Sequence, residues 1–297
     1  MTYFLSALLY YLVIKPISLL PFPLLYAFSD FMFFIFYYLT PYRKKLVTDN
    51  LSRSFPEKSK DEILEIRKEF YRYFCDIVVE SLKLFSAQPE SISRRIKLIN
   101  PEVLEKFYEQ KKSLVLVTGH YANWEWPAIT LSMLSKYKGS GVYKKLSNKF
   151  FDEKLRSTRA AFGTELFTNK EVAEFMEERL SKLFLFGFIN DQSPSNPKSG
   201  HWAMFLNQPT CMLFGAEKYA VQFNIPVICV AIRRVKRGYF TVEYIVITEN
   251  PAAEKMYYIT EKCSQINESL IVAEPAYWLW THRRWKHKLP EELKIKN

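Results

Sequence analysis

The chain has 297 residues, 48% of them hydrophobic and 25% charged, with only 8 glycines. That is ample material for a packed core, and it excludes a disordered, low-complexity or collagen-like chain. A net charge of +11 beside 16% aromatic residues calls for an anionic partner, and the pairing of basic with aromatic side chains suits a membrane interface at least as well as nucleic acid.

Residues 3–42 form the most apolar stretch, charged only at Lys15 and Asp30 and punctuated by Pro16, Pro21 and Pro23. Each uncharged run is shorter than the roughly 18–20 residues of a clean spanning helix, and the prolines forbid one long helix. The pattern predicts two helices, about 3–20 and 23–39, either in or partly through a bilayer or packed into a core. Thirteen aromatic side chains between Tyr3 and Tyr38, followed by Arg43, Lys44 and Lys45, favour the membrane and a cytoplasmic remainder. No small-x-small site follows the apolar run, so a cleaved signal peptide fits poorly. Residues 1–42 are therefore expected as a membrane-associated helical segment and 43–297 as a single α/β domain.

Beyond residue 45 helical and strand patterns alternate. Ser59 to Glu62 reads as a capping box opening a helix to about Phe85, with Ile63, Ile66, Phe70, Tyr73, Phe74, Ile77 and Val78 on one face. Residues 113–118 read as a buried parallel strand. Thr168 to Glu171 reads as a second capping box before a helix to about Ser181. Further strands are expected at 183–189, 226–232 and 239–248, and helices at about 147–161 and 212–223. The expected fold is α/β, a mostly parallel mixed sheet flanked by helices. Cys75, Cys211, Cys229 and Cys263 have neither zinc-ligand nor CxxC spacing, and a reducing compartment is their natural home.

Chemistry concentrates in Thr118-Gly-His-Tyr-Ala-Asn-Trp-Glu-Trp126, directly after the 113–118 strand, where α/β sheets collect functional groups. On one helix His120 and Glu125 would sit about 140° apart, so they meet only if His120 is in the loop and Glu125 in the first helical turn. So arranged, Glu125 would fix the tautomer of a His120 general base. The alternative has His120 capping the helix and Glu125 complementing its dipole. Asn123 could donate to an oxyanion or cap the helix, and Asp191 could close an Asx turn before Pro194.

GHYANWEW resembles the HxxxxE motif, in its gHxGNWE form, of the lipid A biosynthesis (late, secondary lauroyl/myristoyl) acyltransferases. Other blocks of that family occur in order from about residue 5 to 288. Tyr42-Arg43 to Asn50-Leu51 with Ser54-Phe55-Pro56 resembles its "yR…Nl..sFp" segment. Gly141-Val142-Tyr143 with Leu155-Arg156 resembles its "vyr…R" stretch, and Asn190 to Pro194 its "DQ.P" turn. Pro226-Val227 matches a strand of the family, and Trp280 to Lys286 resembles its terminal W-x-H-[KR]-R-[WF]-K. Residues 195–212 follow the family loosely, with Gln208 where a basic residue is common.

The resemblance implies an acyltransferase-like fold and transfer of a fatty acyl group from a thioester, usually on acyl carrier protein, to a hydroxyl of a lipid A precursor. It implies the cytoplasmic face of the inner membrane, no metal, no cofactor and no nucleic-acid partner. His120 matches the general base, Glu125 its partner, and Arg156 an arginine suited to the donor, the substrate or the oxyanion. Asp191 and Gln192 match the family turn, and Arg283, Arg284 and Lys286 are candidates for lipid phosphates or an acidic carrier. With no nucleophile elbow in sight, direct ternary transfer is preferred over an acyl-enzyme. Rival readings are an acyltransferase for another glycolipid, aminolipid or phospholipid hydroxyl, and a non-catalytic basic binder.

Overall fold

A computed structural model describes residues 3–291. The apolar amino-terminal stretch forms two helices, Tyr3–Leu19 and Phe22–Leu39, divided at Pro21. A π-helical turn at Tyr10–Ile14 precedes Pro16 and lets the first helix pass a residue that has no N–H to donate. Both helices lie against the body on a thin polar seam. Ser18 and Ser29 are buried there, while Phe4, Leu12, Leu24, Phe31, Phe34 and Leu39 face outward. Lys15 is turned inward and donates to the Phe85 carbonyl at 2.7 Å.

The helix Lys60–Lys83 opens with the expected capping box, in which Ser59 N–H donates to Glu62 at 2.8 Å and Glu62 N–H to Ser59 Oγ at 3.3 Å. Its carboxyl-terminal half is buried on more than the apolar face, and Asp76 and Glu80 are both enclosed.

The strands in chain order are β1 (Ile96–Leu98), β2 (Leu114–Thr118), β3 (Lys138–Tyr143), β4 (Thr164–Thr168), β5 (Phe184–Ile189), β6 (Gly200–Phe205), β7 (Gln208–Leu213), β8 (Val227–Lys236) and β9 (Tyr239–Thr248). Seven of them make one sheet in the order β1-β9-β8-β2-β5-β3-β4, and β6 with β7 makes a separate hairpin. Every pairing in the seven-stranded sheet is parallel except β8 with β9. The fold is the expected α/β class, a mostly parallel mixed sheet between helices. In β2 the first four residues are all buried, because both faces are covered. β9 alternates, with Phe240, Val242 and Tyr244 inward.

Two local expectations are corrected. Thr168 and Glu171 do not cap a helix. The Glu171 carboxylate accepts from both the N–H and the hydroxyl of Thr168, closing a turn, and the helix is the short Val172–Glu177. The helix expected from 212 begins at Gly215, since the preceding residues complete the β6–β7 hairpin.

Candidate active site

His120 follows β2 and Asp191 follows β5, the neighbouring parallel strand, so the two loops leave the same carboxyl edge of the sheet. Asn190 N–H donates to the Thr118 carbonyl at 3.2 Å and holds the loops together. Asp191 then grips His120 twice. Its Oδ2 accepts from the His120 N–H at 2.7 Å, and its Oδ1 lies 2.6 Å from Nδ1 of the ring. Trp278 Nε1–H donates to the same Oδ2 at 2.7 Å.

Burial alone would push the Asp191 carboxyl up. The His120 imidazole and the three hydrogen bonds outweigh it and hold the group at about 2. An ionised Asp191 can only accept, so the ring proton sits on Nδ1 and the lone pair on Nε2. The Gln192 amide nitrogen, 3.1 Å from Nε2, donates to that lone pair. The Trp124 ring packs edge-on at 4.9 Å. The ring is therefore oriented, carries a buried carboxylate behind it and offers a basic nitrogen forward, the constellation a general base requires.

Glu125 occupies the first turn of the helix Glu125–Leu134, as the spacing required, yet it is not the partner of His120. Its Oε1 accepts two hydrogen bonds from Arg159, at 3.1 and 2.8 Å, and Ser81 Oγ donates to Oε2 at 3.4 Å. Both ring nitrogens of His120 are taken from the other side, by Asp191 and Gln192. Asn123 likewise has both ends occupied: Oδ1 accepts from the Trp126 N–H at 3.0 Å, a helix cap, and Nδ2 donates to Glu80 at 2.7 Å. Between these residues Ala122 is buried at a φ of 48°, a left-handed conformation that glycine adopts freely. The GHxGNWE pattern has glycine there. Gly119 is needed for a different reason: a Cβ would come within 2.6 Å of the Asn267 side chain.

A cavity of about 130 Å³ lies between the helix Glu125–Leu134 and the sheet, lined chiefly by apolar side chains such as Leu116, Leu131, Val142 and Ile232. Glu125, Arg159 and Trp124 are at its wall, so it adjoins the His120 loop. Apolar cavities of this size accept small hydrocarbons. Gly141 and Gly187 line it as well, and a Cβ on Gly141 would meet no atom within 4 Å.

The profile of the bacterial lipid A biosynthesis acyltransferases matches residues 1–287. The chain belongs to that family. No curated protein matches the chain. Family membership makes this an acyltransferase of lipid A biosynthesis, with a lipid A-type acceptor and an association with bacterial membrane lipid synthesis.

The remaining candidates of this acyltransferase lie farther out. Arg156 is exposed on the helix Lys149–Ala161, its guanidinium 5.7 Å from the Tyr143 ring centre, and it borders a shallow groove with Lys144, Lys145 and Lys170. Among the described residues no hydrogen bond or ion pair joins it to His120 or Glu125. Arg159, one turn along, is the arginine that reaches the site. Arg284 is buried and donates to the Cys211 carbonyl at 2.7 Å, which makes it a tie between the carboxyl-terminal segment and β7 rather than a contact for lipid phosphate. Arg283 and Lys286 are exposed. His282, whose pKa burial lowers to about 4, is neutral and accepts from the Ser193 N–H at 3.1 Å, bracing the Asp191–Gln192 turn.

The outer sequence blocks turn out to clasp one another. Arg43 donates to the Thr281 carbonyl at 2.6 Å, and Asn50 donates to the carbonyls of Trp280 and His282 at 3.0 and 3.2 Å. Arg43 is thus structural. Arg159 and Trp278 were not anticipated from the sequence. Only the i+3 relation of Arg159 to Arg156 hinted at the first, and Trp278 lies just outside the terminal motif.

Proposed function

We propose that the protein transfers a fatty acyl group from an acyl thioester, carried on acyl carrier protein, to a hydroxyl of a lipid A precursor, at the cytoplasmic face of the inner membrane. The observation that carries the reading is the His120–Asp191 pair, with an oriented Nε2, in a loop whose Trp124 and Glu125 wall an apolar cavity, in a chain of this family.

The acceptor hydroxyl displaces the Gln192 amide from Nε2. His120 takes the hydroxyl proton as the oxygen attacks the thioester carbonyl carbon, and the imidazolium is stabilised by Asp191, which stays ionised. The tetrahedral intermediate carries its negative charge on the former carbonyl oxygen, where the freed Gln192 amide can donate. Collapse breaks the carbon–sulfur bond, and the imidazolium returns the proton to the leaving thiolate. The ester and the free carrier thiol result, with no covalent enzyme intermediate.

The cavity would take part of the acyl chain, with the Glu125–Arg159 pair fixing the wall of the helix beside it. The exposed rim of Lys144, Lys145, Arg156 and Lys170 suits an acidic carrier protein. The outward apolar faces of the two amino-terminal helices form a patch far larger than a soluble surface tolerates, and burial in the interfacial leaflet removes it from water. Because their polar seam is spent on the body, the helices are read as lying in the membrane surface rather than crossing it, although Phe22–Leu39 has the length to cross.

The test is mass spectrometry of a reaction with purified protein, carrier protein loaded with several chain lengths, and a tetra-acylated lipid A precursor. A single added acyl mass, lost in His120→Ala, supports the reading. No added mass from well-folded protein rejects that acceptor.

A further inference from the structure

Glu80 is a carboxylate enclosed to 1% exposure, with no ion-pair partner among the described residues. Burying such a group is costly unless its lone pairs are used, so what it binds is informative. Its Oε1 accepts from the Tyr26 hydroxyl at 2.8 Å, and its Oε2 accepts from the Asn123 amide at 2.7 Å. Its backbone carbonyl accepts from Trp126 Nε1–H at 3.2 Å. Glu80 therefore joins two elements that share no other polar contact among the described residues: the outer helix Phe22–Leu39, through Tyr26, and the loop that carries His120, through Asn123.

Tyr26 is seated closely. A Cβ at Gly238 would fall 2.2 Å from its hydroxyl, and the Tyr26 carbonyl accepts from Arg237 at 3.2 Å. One turn before Glu80, Asp76 binds Ser29 of the same outer helix at 2.7 Å and also Arg234 and Arg237, while Arg237 reaches Asp30 at 2.8 Å. Asp76 is thus paired with arginines, whereas Glu80 is held by hydrogen bonds and, among the described residues, has no ion-pair partner. On the far side, Asn123 cannot turn its amide over, because its oxygen already caps Trp126. The chain Tyr26–Glu80–Asn123 fixes the loop one residue after the strained Ala122 and three after His120.

We propose that Glu80 is a positioning residue: it conveys the seating of the amino-terminal helix to the catalytic loop and so holds His120 in its working orientation only while that helix is docked. The proposal rests on the reading of His120 as the base. Docking of the outer helix on the body and competence of the site become one event.

Three variants test it. Tyr26→Phe removes one hydroxyl and leaves the helix packed. Glu80→Gln can keep both links, its oxygen toward Asn123 and its amide toward the Tyr26 hydroxyl. Glu80→Leu severs both. The first readout needs no substrate: NMR of the histidine rings, with the His120 signals identified by their loss in His120→Ala. Tyr26→Phe is expected to shift the His120 ring signals and leave those of His201 in place. In steady-state assays with the lipid A precursor, kcat is expected to fall about 10-fold in Tyr26→Phe and about 10²-fold in Glu80→Leu, the scale of an ångström's misplacement. KM should stay within about twofold, and Glu80→Gln should keep near wild-type turnover. Unmoved His120 signals in folded Tyr26→Phe overturn the proposal, as does a loss that resides in KM alone. Wild-type protein that is inactive on the precursor would overturn the substrate reading while the ring signals still decide the coupling. Should Glu80→Leu not fold, Tyr26→Phe alone is decisive.

Discussion

His120 Nδ1 lies 2.6 Å from Asp191 Oδ1, although Glu125 is the acid five residues away in the same motif and Asp191 is 71 residues distant. The motif carboxylate is turned to Arg159 instead. His120 and the acid that orients it therefore follow adjacent parallel strands, and the sheet register fixes their separation. Glu125 and Arg159 form part of the wall beside them.

If that pair acts as one unit, Glu125→Ala and Arg159→Ala have similar costs. Each is expected to lower kcat/KM about 10-fold, and the double variant by little more than either single one. A double-mutant cycle on purified protein measures the coupling. Additive losses would mean that the two side chains act separately.

Burial raises the Glu80 carboxyl to about 7, well above its ordinary value. Between about pH 4.5 and 7 the folded chain holds a proton that the unfolded chain has released, so this group makes stability fall as pH rises across that window. At 1.36 kcal/mol per unit, the full effect is on the order of 3 kcal/mol above pH 7. Thermal unfolding of Glu80→Gln should match wild type at pH 5 and exceed it at pH 8. Equal destabilisation at both pH values would show that the cost of Glu80 is not one of charge.

Ala122 holds a left-handed backbone that disfavours a Cβ by about 1 kcal/mol or more. Ala122→Gly removes that strain at some cost in unfolded-state entropy, for a net gain of about 0.5 kcal/mol. Denaturant unfolding of the two proteins checks the sign. A clear loss of stability would mean that the buried methyl packs better than the strain costs.

Gly141 opens on the apolar cavity with no neighbour in the path of a side chain. Gly141→Leu should shift the preferred donor to a chain shorter by about 3–4 carbons, judged from the volume a leucine fills. Competition among carrier proteins of mixed chain length, read by mass spectrometry, gives the answer. An unchanged preference would remove this cavity from the acyl path.

Much of the architecture was legible because it follows from local pattern. The continuous apolar run before Gly119 reads as a strand covered on both faces, and the Ser59–Glu62 box set the helix start to the residue. What failed were features decided by tertiary contact. Thr168 and Glu171 have capping-box spacing, but the same two bonds close a turn. The partner of His120 depended on which strand lies beside β2, and a single chain does not state its strand order. Arg284 reads as a surface cation by composition, yet it is buried against β7. Asp76 and Glu80 stand in the sequence only as acids flanking the apolar stripe of a helix, and nothing local tells that tertiary contacts enclose them.

The central claim is tested most directly by single-turnover rates of acyl transfer in Asp191→Asn and Glu125→Gln, compared with wild type at saturating acceptor. An asparagine at 191 cannot hold the proton on Nδ1 or stabilise the imidazolium, so the rate should fall about 10³–10⁴-fold with the fold intact. Glu125→Gln, which keeps shape beside Arg159, should lose about 10-fold or less. The reverse order, with Asp191→Asn near wild type and Glu125→Gln nearly inactive, would contradict the account.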